Sequence, residues 1–105
     1  MIRHIVFFKL KPEVTDADRD SLFNSIRNVV AKIPQAKNFA IGKQLAPAEE
    51  WYKERLATDF TWGLSADFET EADLYTYQKH PLHVETLQEL AKRINERKVY
   101  DLVSG

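Results

Sequence analysis

Residues 2–10 read IRHIVFFKL and alternate in hydropathy with the period of two that is typical of a β-strand. The even positions are apolar apart from His4, so this face of the strand is predicted to lie on the core. The odd positions carry Ile5 and Phe7 between charged ends. A two-layer domain has only one core, so the apolar centre of the second face indicates another covering surface, and a second copy of the sheet would supply it.

Outward from this strand, the chain alternates between helix and strand patterns. Thr15 and Thr70 resemble helix caps, Pro34 ends one helix, and Pro81 interrupts or restarts another. The predicted elements are, in chain order, a strand at 2–10, a helix at about Asp16–Ile33, a weak strand at Phe39–Leu45, a strand at Phe60–Phe68, a short helix from Thr70 to about Gln78, a helical apolar stripe from Leu82 to Ile94 and a last strand at Arg97–Val103.

The order β-α-β-β-α-β is typical of the ferredoxin-like arrangement, an α+β fold with helices on one face of a four-stranded antiparallel sheet. The first and third strands are the most apolar, so we expect them at the centre of the sheet. The 105 residues show no linker and no repeat, which predicts a single domain over residues 1–105. Together with the two-sided first strand, this pattern predicts a homodimer that pairs through the sheet face.

Composition excludes several classes of function. The net charge of −1 and interspersed acids and bases argue against a nucleic-acid partner. The chain has no cysteine, so disulfides and thiol chemistry are excluded. No apolar stretch approaches the ~20 residues of a membrane span, and the N-terminus lacks the pattern of a signal peptide. We therefore expect no membrane partner and a cytoplasmic location.

Two histidines from separate elements are predicted to converge on the core. His4 lies on the core-facing side of the first strand. His83 precedes Leu87 and Leu90 by four and seven residues, which places it on the apolar stripe of the last helix. Imidazole exchanges protons near neutral pH. The pair therefore indicates a small-molecule pocket, although a core histidine is more often a hydrogen-bonded structural group.

A metal site is the weaker interpretation of the same histidines. His80 and His83 are three residues apart, and His4 would complete a zinc-like set of three. Pro81 disturbs the helical geometry between the first two, and no carboxylate stands at a suitable spacing. We therefore predict no metal ligands.

Other residues are candidates for the same pocket. Tyr77 precedes His80 on the short helix, and a phenol can donate a hydrogen bond to a carbonyl or enolate oxygen. Packing is the commoner role of such a tyrosine. Asp101 can orient a histidine, but a surface charge is the favoured interpretation. Three apolar side chains are predicted to line the binding pocket with the histidines: Val6, Phe8 and Phe23.

Two segments resemble the Dabb family, the stress-responsive A/B barrel domain. The first is Ile2–Lys11, a hydrophobic first strand with an early histidine. The second is Tyr77–Val84, YQKHPLHV, which is similar to the family's His-Pro-x-His-Val signature with a tyrosine three residues before the first histidine. The helix end at Ile33-Pro34 and the last strand also fit, so the resemblance covers essentially the whole chain.

The resemblance implies a ferredoxin-like protomer whose sheet packs on a second copy to form a dimeric α/β barrel. In one plant cyclase of the family, a histidine and a tyrosine perform acid–base chemistry without a metal or an organic cofactor. The matching residues are His83 as base and Tyr77 as hydrogen-bond donor, with His4 and His80 lining the site. We therefore expect a cofactor-free lyase, cyclase or isomerase that acts on a small apolar carbonyl compound. The alternative is a non-enzymatic, stress-related or ligand-binding dimer.

Overall fold

The computed structural model describes residues 1–105 and confirms the predicted order of elements. The second helix is divided in two at Pro81, and one helical turn lies in the long loop before the third strand. No helix has the length and apolar character needed to cross a membrane. The elements are β1 Ile2–Leu10, α1 Asp16–Ala31, β2 Lys37–Lys43, α2 Glu50–Lys53, β3 Trp62–Phe68, α3 Glu71–Lys79, α4 Pro81–Ala91 and β4 Ile94–Val103.

The four strands form one antiparallel sheet in the order β2-β3-β1-β4. β1 and β3 are therefore central, as their apolar character predicts. In this register His4 lies opposite Ala66 on one neighbouring strand and opposite Asp101 on the other. The most apolar strand of the chain thus brings a histidine and a carboxylate from opposite ends of the sequence onto the same face.

The helices cover one face of the sheet, and their caps follow from the sequence. Thr15 and Thr70 accept hydrogen bonds at 3.1 Å from the backbone N–H groups of Asp18 and Asp73. Such a cap stabilises a helix by about 1 kcal/mol. The apolar stripe of α1 is buried against the sheet at Leu22, Phe23, Ile26 and Val30.

Aromatic rings fill the core at the end of the sheet away from His4. Phe8 is fully buried, and its ring meets Phe23 edge-to-face with 6.1 Å between centroids. Phe23 packs in the same way on Trp62, at 5.6 Å. These contacts make this end of the domain a solid core, because edge-to-face packing leaves little free volume around the rings.

Some predicted boundaries differ from the structure. β4 begins at Ile94, not at Arg97, and the apolar stripe of the last helix ends with α4 at Ala91. Ile94 is buried as a strand residue opposite Leu10, next to a bulge in the β1–β4 pairing. Pairing with β1 therefore overrides the helical spacing of Ile94, since a strand partner is a non-local contact that local periodicity does not report.

Smaller differences concern other element ends; β3, for example, begins at Trp62 and not at Phe60. α1 stops at Ala31, and a tight turn places Ile33 in the core through a 3.0 Å hydrogen bond from its N–H to the Val30 carbonyl. β2 ends at Lys43, so Leu45 lies outside the strand and is exposed.

The second face of the sheet, here called the open face, is uncovered in the protomer. Ile5 and three large side chains lie on it; Phe7 is 39% exposed, Tyr100 51% and Leu102 53%. β3 contributes small residues to this face, and a Cβ on Gly63 would lie 3.2 Å from the Val6 carbonyl oxygen. The open face therefore combines apolar side chains with a flat centre that lets another layer approach.

A hydrogen-bonded polar group around one carboxylate lies at a corner of the open face. Asp67 accepts hydrogen bonds from Arg3 at 2.8 and 3.2 Å and from the Asn38 amide at 3.0 Å. Asn38 has a left-handed backbone (φ 53°), which asparagine tolerates, at the irregularity between β2 and β3. The hydrogen bond from Arg3, followed by that from Asn38, lowers the pKa of Asp67 to about 2.

Candidate active site

A cavity of about 300 Å³ lies between the helices and the β4 side of the sheet. This volume is at the lower end of the range for small-molecule sites. Val99 and Tyr75, each about half exposed, mark where the cavity reaches solvent. The walls are mostly apolar and are formed by His4, Val6, Ile26, Val29, Val30, Leu64, Leu74, Tyr75, Tyr77, Gln78, His83, Thr86, Leu87, Leu90, Arg97, Val99 and Asp101.

The break between α3 and α4 determines where the motif histidines point. His80 is the N-cap of α4, and its Nδ1 accepts a 3.2 Å hydrogen bond from the backbone N–H of Leu82. Pro81 occupies the first helical position, where no backbone N–H donor is needed. His80 therefore holds the start of the helix and does not line the cavity. His83 lies one turn further on and points inward.

His83 is buried, with 8% of its surface exposed, and lines the cavity. Its Nδ1 lies 3.3 Å from the carbonyl oxygen of Gln78. We assign the proton to Nδ1, because a carbonyl oxygen can only accept. Nε2 then carries a free lone pair, and it has no hydrogen-bond partner within the chain. Every fully buried polar side-chain atom of the chain does have a partner, so Nε2 is not fully buried. Nε2 therefore faces the cavity.

Tyr77 is the second inward-facing polar group. It is 3% exposed, and its ring packs on His83 with centroids 4.1 Å apart and on Phe68 at 5.1 Å. Its hydroxyl has no hydrogen-bond partner within the chain, and by the same reasoning the hydroxyl oxygen is not fully buried. The hydroxyl therefore opens into the cavity that Tyr77 lines, next to the imidazole of His83.

His4 forms a pair with Asp101 on the cavity floor. The Nδ1 of His4 lies 2.6 Å from the Asp101 carboxylate, which is the acceptor. The Nε2 of His4 is 3.5 Å from the side-chain amide of Gln78, a long contact. Asp101 thus orients a histidine, contrary to the favoured interpretation of it as a surface charge. Gln78 contacts both histidines, one through its backbone carbonyl and one through its side chain.

Burial sets the protonation state of the two inward-facing groups. Desolvation lowers the pKa of His83 below its ordinary 6.5; the Gln78 hydrogen bond opposes this shift, and electrostatic interaction with the nearby His4 and His80 reinforces it. Desolvation raises the pKa of Tyr77 to about 12. At neutral pH the cavity therefore presents a neutral imidazole that can accept a proton beside a phenol that remains a donor.

Not every residue predicted for the pocket lines it. The structure places His4, Val6, Tyr77 and His83 around the cavity. Phe8 and Phe23 lie in the aromatic core instead, where their mutual packing leaves them 0% and 4% exposed. His80 caps α4 and also lies outside the cavity lining.

The histidines do not form the alternative metal set. No group of three or more His, Cys, Asp or Glu residues has a geometry that would hold a metal ion. His4 points its Nδ1 at Asp101, and His80 turns its Nδ1 to the helix backbone. The three imidazoles therefore serve different partners.

Sequence reasoning missed several cavity residues. Gln78, Arg97 and Val99 line the cavity, as do residues from the second half of α1. For β4, the alternation of side chains between the two faces of the strand could have indicated these residues, since Arg97, Val99 and Asp101 share the face of His4. That signal is usable only once the pairing with β1 is known.

The fold and the cavity define a class: a ferredoxin-like α+β protein with a partly apolar pocket that presents an imidazole and a phenol. The profile of the stress responsive A/B barrel domain, Dabb, matches residues 2–104, and the chain belongs to this family. The resemblance to this family inferred from the sequence is confirmed.

Individual relatives agree with this assignment. The chain is 26% identical over 83 residues to olivetolic acid cyclase of Cannabis sativa, covering 79% of this chain and 76% of the cyclase. It superposes on hydroxynitrile lyase from Passiflora edulis with a TM-score of 0.85, 24% identity and coverage of 99% and 93% of the two chains. A dimeric ferredoxin-like protein of Thermobifida fusca gives a TM-score of 0.80, 27% identity and coverage of 98% and 90%.

Proposed function

We propose that this protein is a cofactor-independent acid–base catalyst of the lyase, cyclase or isomerase type, acting on a small, largely apolar carbonyl compound. One observation carries the proposal: the rings of His83 and Tyr77 pack with centroids 4.1 Å apart, and His83 Nε2 and the Tyr77 hydroxyl, without partners in the chain, face one mostly apolar cavity. A proton acceptor beside a proton donor is the pair that abstraction of a proton next to a carbonyl requires.

The chemistry begins with the substrate carbonyl oxygen on the Tyr77 hydroxyl. His83 Nε2 removes a proton from the carbon next to the carbonyl, and the electrons of that C–H bond form the C=C bond of an enolate. Tyr77 donates a hydrogen bond to the enolate oxygen, where negative charge develops. The imidazolium then returns its proton, either to carbon in an isomerisation or to the oxygen of a second carbonyl after carbon–carbon bond formation.

The groups around this pair hold it in position. The Gln78 carbonyl fixes the tautomer of His83 through Nδ1, so that Nε2 is the basic atom. The rings of His83 and Tyr77 are in contact with each other, which restricts the rotation of both. Asp101 holds His4 on the cavity floor, where its imidazole contributes a further polar group toward the substrate.

The family relationship supports a catalytic role without naming the substrate. One relative of this chain is a cyclase, and the two sequences align over most of their length. The residues that we place at the reaction centre belong to the segment Tyr77–Val84, which carries the resemblance to the family.

We also propose that the working molecule is a homodimer. The open face exposes Phe7, Tyr100 and Leu102 beside the half-buried Ile5, and such grouped apolar side chains are typical of an interaction surface. A similar protein of known structure is described as dimeric. Pairing two open faces would bury these side chains and would leave the cavity, on the other face of the sheet, accessible.

The catalytic proposal is tested by proton exchange, which needs no knowledge of the natural substrate. The probe is 4-phenyl-2-butanone in D₂O, with loss of its α-proton signals followed by NMR. We expect the wild-type protein to accelerate exchange over buffer. His83→Gln should reduce the protein-catalysed rate by about 10²–10⁴-fold, the usual contribution of a positioned base. Tyr77→Phe should reduce it by about tenfold or more, because it removes the hydrogen bond to the enolate oxygen.

The matched control is His80→Asn, a histidine in the same motif that caps the helix and does not line the cavity. Asparagine is also a good cap, so this variant should exchange the ketone at nearly the wild-type rate. All variants are compared by thermal unfolding to confirm that they fold. Undiminished exchange by folded His83→Gln, or no exchange by the wild-type protein, would contradict the proposal and favour a non-enzymatic ligand-binding dimer.

A further inference from the structure

One guanidinium of the chain differs from all the others. The arginines at positions 3, 19, 27 and 93 are hydrogen-bonded to acidic, amide or carbonyl oxygens, and Arg55 lies over the ring of Trp51. Arg97 has no ion pair, no hydrogen bond and no aromatic partner within the chain, although it lines the cavity. A cation that lines a cavity and lacks a partner in its own chain is available to a ligand.

The register places Arg97 on the cavity side of the sheet. It lies opposite Phe8, whose side chain is in the core, so Arg97 is on the helix-covered face and not on the open face. Its neighbour Lys98 lies opposite Phe7 and belongs to the open face. A second copy on the open face would therefore meet Lys98, whereas Arg97 remains at the cavity.

β4 places two charged residues on the cavity at separate points. Asp101 and His4 form one end, and Arg97 lies four residues from Asp101 on β4, about 13 Å along an extended strand. Val99, between them on the same face, is apolar. Asp101, the sole acid among the lining residues, already accepts from His4. No carboxylate of the cavity therefore competes for Arg97.

We propose that the ligand of this cavity is an elongated apolar molecule with a carboxylate, which Arg97 binds. The planar guanidinium presents paired N–H donors that match the two oxygens of a carboxylate. The apolar walls take the body of the ligand, and its other end lies at the polar floor. The inference builds on the proposed function only in placing the reacting carbonyl at His83 and Tyr77; the carboxylate site itself is independent of catalysis.

The test is direct binding of a matched pair of probes, 4-phenylbutanoate and the neutral 4-phenylbutanamide, followed by amide chemical shifts in the ¹⁵N-labelled protein. The two probes have nearly the same shape, so their affinity ratio reports the charge. We expect the wild-type protein to prefer the carboxylate about tenfold, as for a charge-assisted hydrogen bond. Arg97→Leu should reduce the ratio to about one, and Arg97→Lys should retain part of it.

The matched control is Lys98→Leu, which removes the same charge one residue away on the other face and should leave the ratio unchanged. Equal affinity of wild-type protein for the two probes, no detectable binding of the carboxylate, or an unchanged ratio in Arg97→Leu would overturn the inference. Inorganic phosphate that binds as tightly as 4-phenylbutanoate, with the same residues shifting, would overturn the assignment to a carboxylate.

The carboxylate-binding proposal and the catalytic proposal can be contradicted independently of each other. His83→Gln should keep the carboxylate preference while losing ketone exchange. A preference that depends on Arg97 in a protein without exchange activity would support the carboxylate site and contradict the catalytic proposal. Exchange activity without any preference would do the reverse.

Discussion

The two faces of the sheet are similar in apolar character and opposite in exposure. On the helix-covered face, Phe8 and Ala66 are 0% and 1% exposed, and the polar groups His4 and His83 each have a fixed partner. On the open face, Phe7 and Tyr100 meet edge-to-face at 6.1 Å, yet 39% and 51% of their surfaces remain exposed. Both faces come from the same strands, but helices cover only one of them.

This difference agrees with the two proposals made above, one for each face. The helix-covered face provides the core and, at its β4 side, the cavity with the imidazole and the phenol. The open face has no pair of an imidazole and a phenol at a cavity. Its carboxylate Asp67 forms an ion pair with Arg3. We infer that the helix-covered face serves ligand chemistry and the open face serves association.

The largest expected effect comes from truncating a ring on each face. Phe8→Ala should lower the free energy of unfolding by about 3–5 kcal/mol, because it leaves a cavity in a packed core. The loss should be the same at every protein concentration, since the core lies within one protomer. Urea unfolding monitored by circular dichroism, at two protein concentrations a hundredfold apart, measures it.

Phe7→Ala is the matched variant for the open face. The loss in free energy of unfolding that it causes should decrease on dilution, because the ring is covered only when a second copy is bound. A cost for Phe7→Ala that is as large as that of Phe8→Ala and independent of concentration would contradict the separation of the two faces.

A charge on the open face should break the dimer without unfolding the protomer. Phe7→Glu would place a carboxylate in the proposed interface, and an unpaired buried charge costs several kcal/mol. We expect the dissociation constant to rise by about a hundredfold or more, measured by analytical ultracentrifugation. Glu96→Gln, on the same strand pair but beside Lys9 at the periphery, serves as the control. A wild-type protein that remains monomeric at high concentration would refute the dimer.

The smallest expected effects are two changes of stability with pH. The pKa of His83 is lowered from 6.5, so below pH 6.5 the unfolded chain binds a proton that the folded chain does not. Stability should therefore fall as the pH decreases from 6.5 toward the native pKa. His83→Gln should remove this step, and His80→Asn should keep it, in urea unfolding at a series of pH values.

The corresponding step for the open face lies in a more acidic window. The pKa of Asp67 is lowered from 3.8 to about 2, so its contribution to stability is complete above pH 3.8 and is lost as the pH falls toward 2. Asp67→Asn should flatten the pH dependence in this window and leave the step near neutral pH unchanged. A step near neutral pH that disappears in Asp67→Asn would show that the faces are coupled.

The parts of the fold that were predictable are those with a local period. β1 was predicted with its observed ends, because Ile2 to Leu10 alternate without interruption. The caps at Thr15 and Thr70 were also predictable, since the N-cap oxygen bonds a backbone N–H only three residues away. The start of β4 at Ile94 was not, because Ile94 fits both a helical stripe and a strand.

The candidate site was predictable only in part, for a similar reason. His4 and His83 were placed in one layer from their spacing, and Tyr77 was placed beside them by the motif. Their functional roles stay predictions. Phe8 and Phe23 were expected in the pocket, because the sequence shows that they are apolar and inward-facing but not whether a neighbouring ring fills the space.

The sequence by itself determined the order of elements, the apolar faces and the segment that carries the histidines, since each depends on residues within a few positions of one another. Only the tertiary structure decided that Asp101 meets His4 across 97 positions, that Arg97 enters the cavity and that His80 caps a helix instead of lining it. The physical reason is that strand register and the space between packed layers are set by contacts between distant segments, and hydropathy period specifies which face a residue takes but not what lies opposite.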